Sequence, residues 1–156
     1  MEQKNEKKLV LSIMTTCLMA SSLAFASNND SAKVEFLNSK PASKTLPFSE
    51  AVRVDNTLYL SGKIGFDPAK GKLAEGGLKA EAAQALVNIK TSLNKYGYEM
   101  KDVVKCLVML TDINDFKAFN EVYTSYFTPP YPARSAFAVA DLAINSVVEI
   151  ECFAVK

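Results

Sequence analysis

Residues 78–110 read LKAEAAQALVNIKTSLNKYGYEMKDVVKCLVML, and the change of period inside them decides the fold. Leu78, Ala82, Ala85, Leu86, Ile89, Leu93 and Tyr96 recur at three- and four-residue spacing, which lines one face of an α-helix, and Gly97 supplies a left-handed stop. Residues 103–110 are then almost continuously apolar, broken only by Lys105, as in a central strand covered on both faces. A helix running straight into a buried strand implies a layered α/β arrangement, and the flanking segments supply the other layers.

Towards the C-terminus, Phe116, Phe119, Tyr123, Tyr126 and Phe127 mark a second amphipathic helix, with Asn114 or Asp115 as its N-cap and Pro129-Pro130 as its end. These aromatics read as core packing, because they share one helical stripe and no basic groove accompanies them. Two strands follow, at 134–139 and 147–155, with 141–146 as the turn between them. In the last strand Val148, Ile150, Cys152 and Ala154 share one face, while Glu149 and Glu151 share the other with Val147, Phe153 and Val155. That second face is too apolar for plain solvent and too charged for a dry core, so a subunit interface enclosing a polar pocket reconciles the two.

Towards the N-terminus, Val52 and Val54, then Asp55-Asn56, then Leu58 and Leu60, spell a β-hairpin, which Ser61-Gly62 ends. The element order is β-β-α-β-α-β-β, an α+β domain over 48–156 with both helices on one face of the sheet. Residues 27–47 read as a mobile lead-in with a short apolar patch at Val34, Phe36 and Leu37. Residues 1–26 read as a signal peptide: Lys4, Lys7 and Lys8, an apolar run over 9–20, and Ala24-Phe25-Ala26 before cleavage. The run is too short and too hydroxylated to span a bilayer, so the expected destination is periplasmic or secreted, with no membrane association after cleavage.

Composition excludes several chemistries. With no His among 156 residues, a Ser-His-Asp hydrolase and a His-ligated metal centre are both ruled out. Eighteen basic residues face seventeen acidic ones, and removing 1–26 takes three Lys and two Glu, leaving fifteen of each and a net charge of zero. Without a basic stripe, phosphate-backbone affinity has no source, and no nucleic-acid partner is expected. Cleavage also removes Cys17, leaving Cys106 and Cys152 inside apolar runs. Such a pair can join in an oxidising compartment, but the reading favoured is two buried free thiols.

Only two basic residues are arginine, Arg53 and Arg134. Arg134 follows Pro129-Pro130-Tyr131-Pro132, whose rings fix the backbone entering its strand and so pre-position a guanidinium suited to a forked grip on a carboxylate. If its strand lies near that of Glu149, a cation and a carboxylate flank one small cavity. An ordinary structural ion pair is the competing reading.

Ser61-Gly62-Lys63-Ile64, the first helix with Gln84, Ala85, Leu86 and Asn88, the stretch Thr111-Asp112-Ile113-Asn114-Asp115-Phe116, Asn120, Pro132-Ala133-Arg134-Ser135 and Glu149-Ile150-Glu151 stand in an order that resembles the Rid family of reactive intermediate deaminases. The resemblance covers about 48–156. It implies a chorismate-mutase-like homotrimer with sites between neighbouring subunits, no cofactor and no metal. It also implies hydrolysis of small 2-imino and 2-enamino acids to 2-keto acids and ammonia. By motif, Arg134 matches the arginine that binds the substrate carboxylate and Glu149 the glutamate near the attacking water. Ser61 and Gly62 match the loop lining the pocket, Phe48 falls near a pocket tyrosine, and Asn120 matches an asparagine of the second helix given a structural role first. Departures from RidA are Ala136 in place of a cysteine, Phe48 without the hydroxyl, and Lys63 and Gly65 in place of glutamine and proline around Ile64. A non-enzymatic trimer that binds carboxylate metabolites, or that acts as a chaperone, is the alternative.

Overall fold

The first helix, α1 (Leu78–Lys95), buries Ala82, Ala85, Leu86, Ile89 and Leu93, the stripe that the three- and four-residue spacing marks. Its end is set by Gly97 at φ 85°, a left-handed backbone that costs glycine little. The computed structural model describes residues 31–38 and 47–156, and the 1–26 leader lies outside the described residues. Among the described residues, no helix is long and apolar enough to cross a membrane.

Strands β1 (Val34–Leu37), β2 (Ala51–Val54), β3 (Thr57–Leu60), β4 (Lys63–Ile64), β7 (Val103–Leu110), β8 (Ala133–Ala138) and β9 (Val148–Val155) form one mixed sheet ordered β1-β2-β3-β9-β7-β8, with β4 also pairing β9. A small hairpin, β5 (Phe66–Asp67) with β6 (Lys72–Leu73), leads into α1. The apolar patch at Val34, Phe36 and Leu37 is the edge strand β1, paired with β2. The expected β2–β3 hairpin is present, with Asp55 at φ 50° in its turn.

Four expectations need correction. The last two strands are not neighbours, because β7 runs between them: β8 pairs with β7 in parallel, and β9 pairs with β7 antiparallel. β7, the second helix and β8 therefore make a crossover unit, which the short turn at 141–146 disguised. Second, helix α2 spans Phe116–Tyr123 and stops well before the prolines. The Thr124 and Ser125 hydroxyls donate back to carbonyls of Asn120 and Val122, and Tyr126 and Phe127 follow in turns. Third, Asp115 occupies the N-cap position without a side-chain cap, while Asp112 accepts from the Asn114 N–H and caps the preceding 3-10 turn at Ile113–Asp115.

Fourth, Cys106 and Cys152 are joined in a disulfide. They oppose each other on β7 and β9, with Cα atoms 4.2 Å apart, a pairing that only the strand order reveals. On the chain-entropy account, closing the 46-residue separation stabilises the fold by about 4 kcal/mol.

The core lies between the helices and the sheet face that carries Leu58, Cys106, Val108, Leu110, Val148, Ile150 and Cys152, all fully buried. Glu81, in the first turn of α1, is buried with them, where its carboxylate accepts from the Ser146 hydroxyl and the Val147 N–H. Arg53 is structural: it donates to Glu35 and to the Tyr96 carbonyl, tying β1 and β2 to the end of α1.

Candidate active site

Arg134 is the second residue of β8, opposite Cys106 of β7, and so projects on the helix-covered side of the sheet, where it lies half-buried at the edge. There α2 holds it. One guanidinium nitrogen donates to the Asn120 side-chain oxygen at 2.7 Å. The guanidinium carbon stands 4.6 Å from the ring centre of Tyr123, 5.4 Å from Phe116 and 5.7 Å from Phe119. Asn120 thus ties the guanidinium to α2. The aromatic stripe read as core packing also cradles the guanidinium, a second duty that helical spacing does not reveal. Tyr123 makes this contact through its ring face, and its buried hydroxyl has no hydrogen-bond partner among the described residues.

No carboxylate pairs with Arg134 among the described residues. The ion-pair reading is thereby set aside: the cation is stacked, oriented and left without a counter-ion. A carboxylate arriving there meets the remaining donors of the fork.

Glu149 belongs to the opposite face. It pairs with Met109 and Ile64 in register and shares the helix-free side of the sheet with Glu151, half-buried. Burial, and then repulsion from Glu151, raise its carboxyl above the ordinary glutamate value. Gly62 lies directly against it, for a Cβ at position 62 would fall 1.9 Å from a carboxylate oxygen. The Ser61 hydroxyl donates to the Ser49 carbonyl at 2.7 Å, which pins the loop to the segment carrying Phe48, whose ring is exposed.

The expected residues therefore form two groups. Gly62 touches Glu149, with Ser61 next to it in the chain and Phe48 next to the Ser49 that Ser61 bonds, while Arg134 and Asn120 stand together elsewhere. Arg134 is in register with Cys152 through Cys106, and Glu149 lies three residues along and two strands across, on the order of 14 Å away between Cα atoms. Within one chain the sheet itself separates them, so the single cavity flanked by both is not formed by one subunit alone.

The family model described as Endoribonuclease L-PSP matches residues 37–156. The chain belongs to that family, the RidA-like proteins. It is 51% identical over 110 residues to a goat protein named 2-iminobutanoate/2-iminopropanoate deaminase, covering 70% of this chain and 80% of that one. The human protein of the same name is 48% identical over the same length and shares of the two chains. Among solved structures, RidA from an Antarctic Psychrobacter superposes with a TM-score of 0.72 at 42% identity, over 78% of this chain and 99% of the other. The YjgF gene product of E. coli gives 0.70 at 32%, over 78% and 98%. The mixed sheet with two helices is thus the RidA-like fold.

Proposed function

We propose that this RidA-like chain hydrolyses small 2-imino and 2-enamino acids to 2-keto acids and ammonia, at sites formed between the subunits of a homotrimer, without a cofactor. The observation that carries the reading is Arg134, a half-buried guanidinium fixed by Asn120 and three rings and left with no counter-ion among the described residues. The names of relatives about 50% identical to it support the same activity.

Arg134 holds the substrate carboxylate and sets the register of the imine carbon. Water adds to that carbon, forming a C–O bond while the C=N pair moves to nitrogen. Glu149 takes one proton from the water and passes it to the nitrogen, giving a carbinolamine; the C–N bond then breaks as the hydroxyl proton moves by way of Glu149 to the leaving nitrogen, so imine and water become keto acid and ammonia. The iminium carbon is already electrophilic, and a chain without His has every group this scheme requires.

Because Arg134 and Glu149 project from opposite faces of one sheet, the two meet only if a neighbouring subunit supplies one of them. The helix-free face supports such an assembly. Half-buried Leu107, Met109, Glu149, Glu151 and Phe153 lie on it, and the Tyr59 and Phe153 rings pack there at 5.1 Å.

The test is keto-acid release when an amino-acid oxidase generates the imine. The wild-type chain is expected to accelerate it, and Arg134→Lys, which keeps the charge but loses the fork and the stacking, to lower kcat/KM about 100-fold, or about 2.7 kcal/mol. Full activity of Arg134→Ala removes the assignment. Carboxylate binding without turnover of any imine favours the binding-module alternative.

We also propose that the chain works outside the cytoplasm. The leader motif and the Cys106–Cys152 bond are independent features that both fit an oxidising compartment. Protein isolated from cells is expected to begin at Ser27 and to carry the disulfide, whereas an intact Met1 contradicts export.

A further inference from the structure

Three polar side chains of α1, Glu81, Gln84 and Asn88, are spaced three and four residues apart and so line one flank of its apolar stripe. Stability alone does not call for them. Glu81 is 6% exposed, and no cation pairs with it among the described residues. Its carboxylate has given up water for hydrogen bonds from the Ser146 hydroxyl at 2.8 Å and the Val147 N–H at 3.0 Å. A well-packed apolar side chain in such a place is often at least as stable.

Those two bonds hold the exit of a strained turn. Ile144 and Asn145 stand at φ 52° and 61°, a left-handed backbone that asparagine tolerates and a β-branched residue rarely adopts. The Ser146 N–H closes the turn on the Ala143 carbonyl at 3.1 Å, the chain enters β9, and Glu149 is the second residue of that strand. On the other side of Glu149, Asn88 donates its amide to the Ile64 and Phe66 carbonyls at 3.1 and 2.8 Å. Its oxygen accepts from the Gln84 amide at 2.9 Å, which fixes the way the Asn88 side chain faces. Ile64 is opposite Glu149 in the β4–β9 register, and the loop entering β4 carries Gly62 against the Glu149 carboxylate.

One helix thus grips both backbone segments that place this carboxylate, the start of β9 through Glu81 and β4 through Asn88. The two side chains lie two turns apart, about 10 Å along the axis. The helix that carries them is packed into the core at Ala82, Ala85, Leu86 and Ile89. We infer that Glu81 and Asn88 are positioning residues for Glu149, with Gln84 orienting Asn88, so that α1 sets where the proton-transferring carboxyl stands. This rests on the deaminase reading and adds to it residues that touch neither substrate nor water. Misplacing a proton-transferring group by about 1 Å slows the chemistry, while carboxylate binding at Arg134 is left intact, so kcat is the quantity that moves.

The test measures kcat and KM on imines generated by an amino-acid oxidase, beside thermal midpoints. Glu81→Ala is expected to lower kcat about 10-fold or more with KM within about 2-fold of wild type, and Glu81→Gln, which keeps an oxygen for Ser146 and Val147, to restore most of it. Leu93→Ala, a core deletion near the far end of the same helix, is expected to lower the midpoint and keep the wild-type kcat. Wild-type kcat in folded Glu81→Ala, or an equal loss in Leu93→Ala, overturns the inference. Where Glu81→Ala does not fold, Ser146→Ala and Asn88→Ala are read in its place: a fall of kcat in both upholds the inference, and an unchanged kcat in either overturns it. If the wild-type chain turns over no imine, the deaminase reading fails, and the positioning is read from the Glu149 carboxyl titration, followed by NMR and identified by its loss in Glu149→Gln. A titration that moves in Glu81→Ala but not in Glu81→Gln or Leu93→Ala upholds the positioning, and any other pattern removes it.

Discussion

Arg134 and Glu149 are both chemically unsettled in the isolated chain, and each in the direction its proposed role requires. The guanidinium is oriented without a counter-ion among the described residues, and the carboxyl is half-buried beside Glu151. Burial first and Glu151 second raise the Glu149 pKa, so the folded state holds this proton more tightly than the unfolded chain does. The resulting cost to stability is absent while both states are protonated and fully present once the pH exceeds the folded pKa. Glu149→Gln is therefore expected to raise the thermal midpoint at pH 7, to lose that gain as the pH falls below the carboxylate range, and to abolish turnover. In the pH profile of kcat/KM, the acidic limb is expected above the ordinary glutamate value, and Glu151→Gln to move it down without restoring it fully, since burial remains. A limb unmoved by Glu151→Gln contradicts the pairing. Arg134 was legible in the sequence because arginine is rare here and prolines precede it. Its cradle was not, because Phe119 and Tyr123 pack the core and the guanidinium from one and the same helical stripe.

At the scale of elements, two glycines of one loop have different duties. At Gly62 an added Cβ meets the far end of the Glu149 side chain, which can swing away. At Gly65 it meets the backbone of Glu81 in α1, at 2.5 Å from its Cα, and the helix has nowhere to go. Gly62→Ala is expected to fold with a nearly unchanged thermal midpoint and to lose most of its activity. Gly65→Ala is expected to cost about 1–3 kcal/mol of stability. Denaturant unfolding and the imine assay on both variants check this, and the reverse pattern contradicts it. Helix α1, the first hairpin and the inward face of β9 follow from periodicity alone. The neighbours of β9 do not, because an alternating strand carries no record of whether its partner runs parallel or antiparallel. That ambiguity left Cys106 and Cys152 as two separate buried thiols, and left open whether Arg134 lies near Glu149.

For the molecule as a whole, the sheet that builds the core also divides the candidate site. One face seats α1 and α2, with Arg134 at its margin, while the helix-free face presents Glu149, Glu151 and the Tyr59–Phe153 pair. A subunit interface that brings Arg134 of one copy to Glu149 of the next answers both the apolar character of the open face and the separation of the two residues. The family resemblance implies a trimer, and the strand order adds a physical reason to propose that the site is shared between copies. The most direct measurement is complementation between two inactive variants, Arg134→Ala and Glu149→Gln, unfolded and refolded together in equal amounts. Random assembly into rings leaves about a quarter of the interfaces with an intact Arg134 facing an intact Glu149. Keto-acid release is expected to recover to about that fraction of the wild-type rate, while either variant refolded alone stays inactive. Assembled mixtures with no recovery contradict a site shared between subunits.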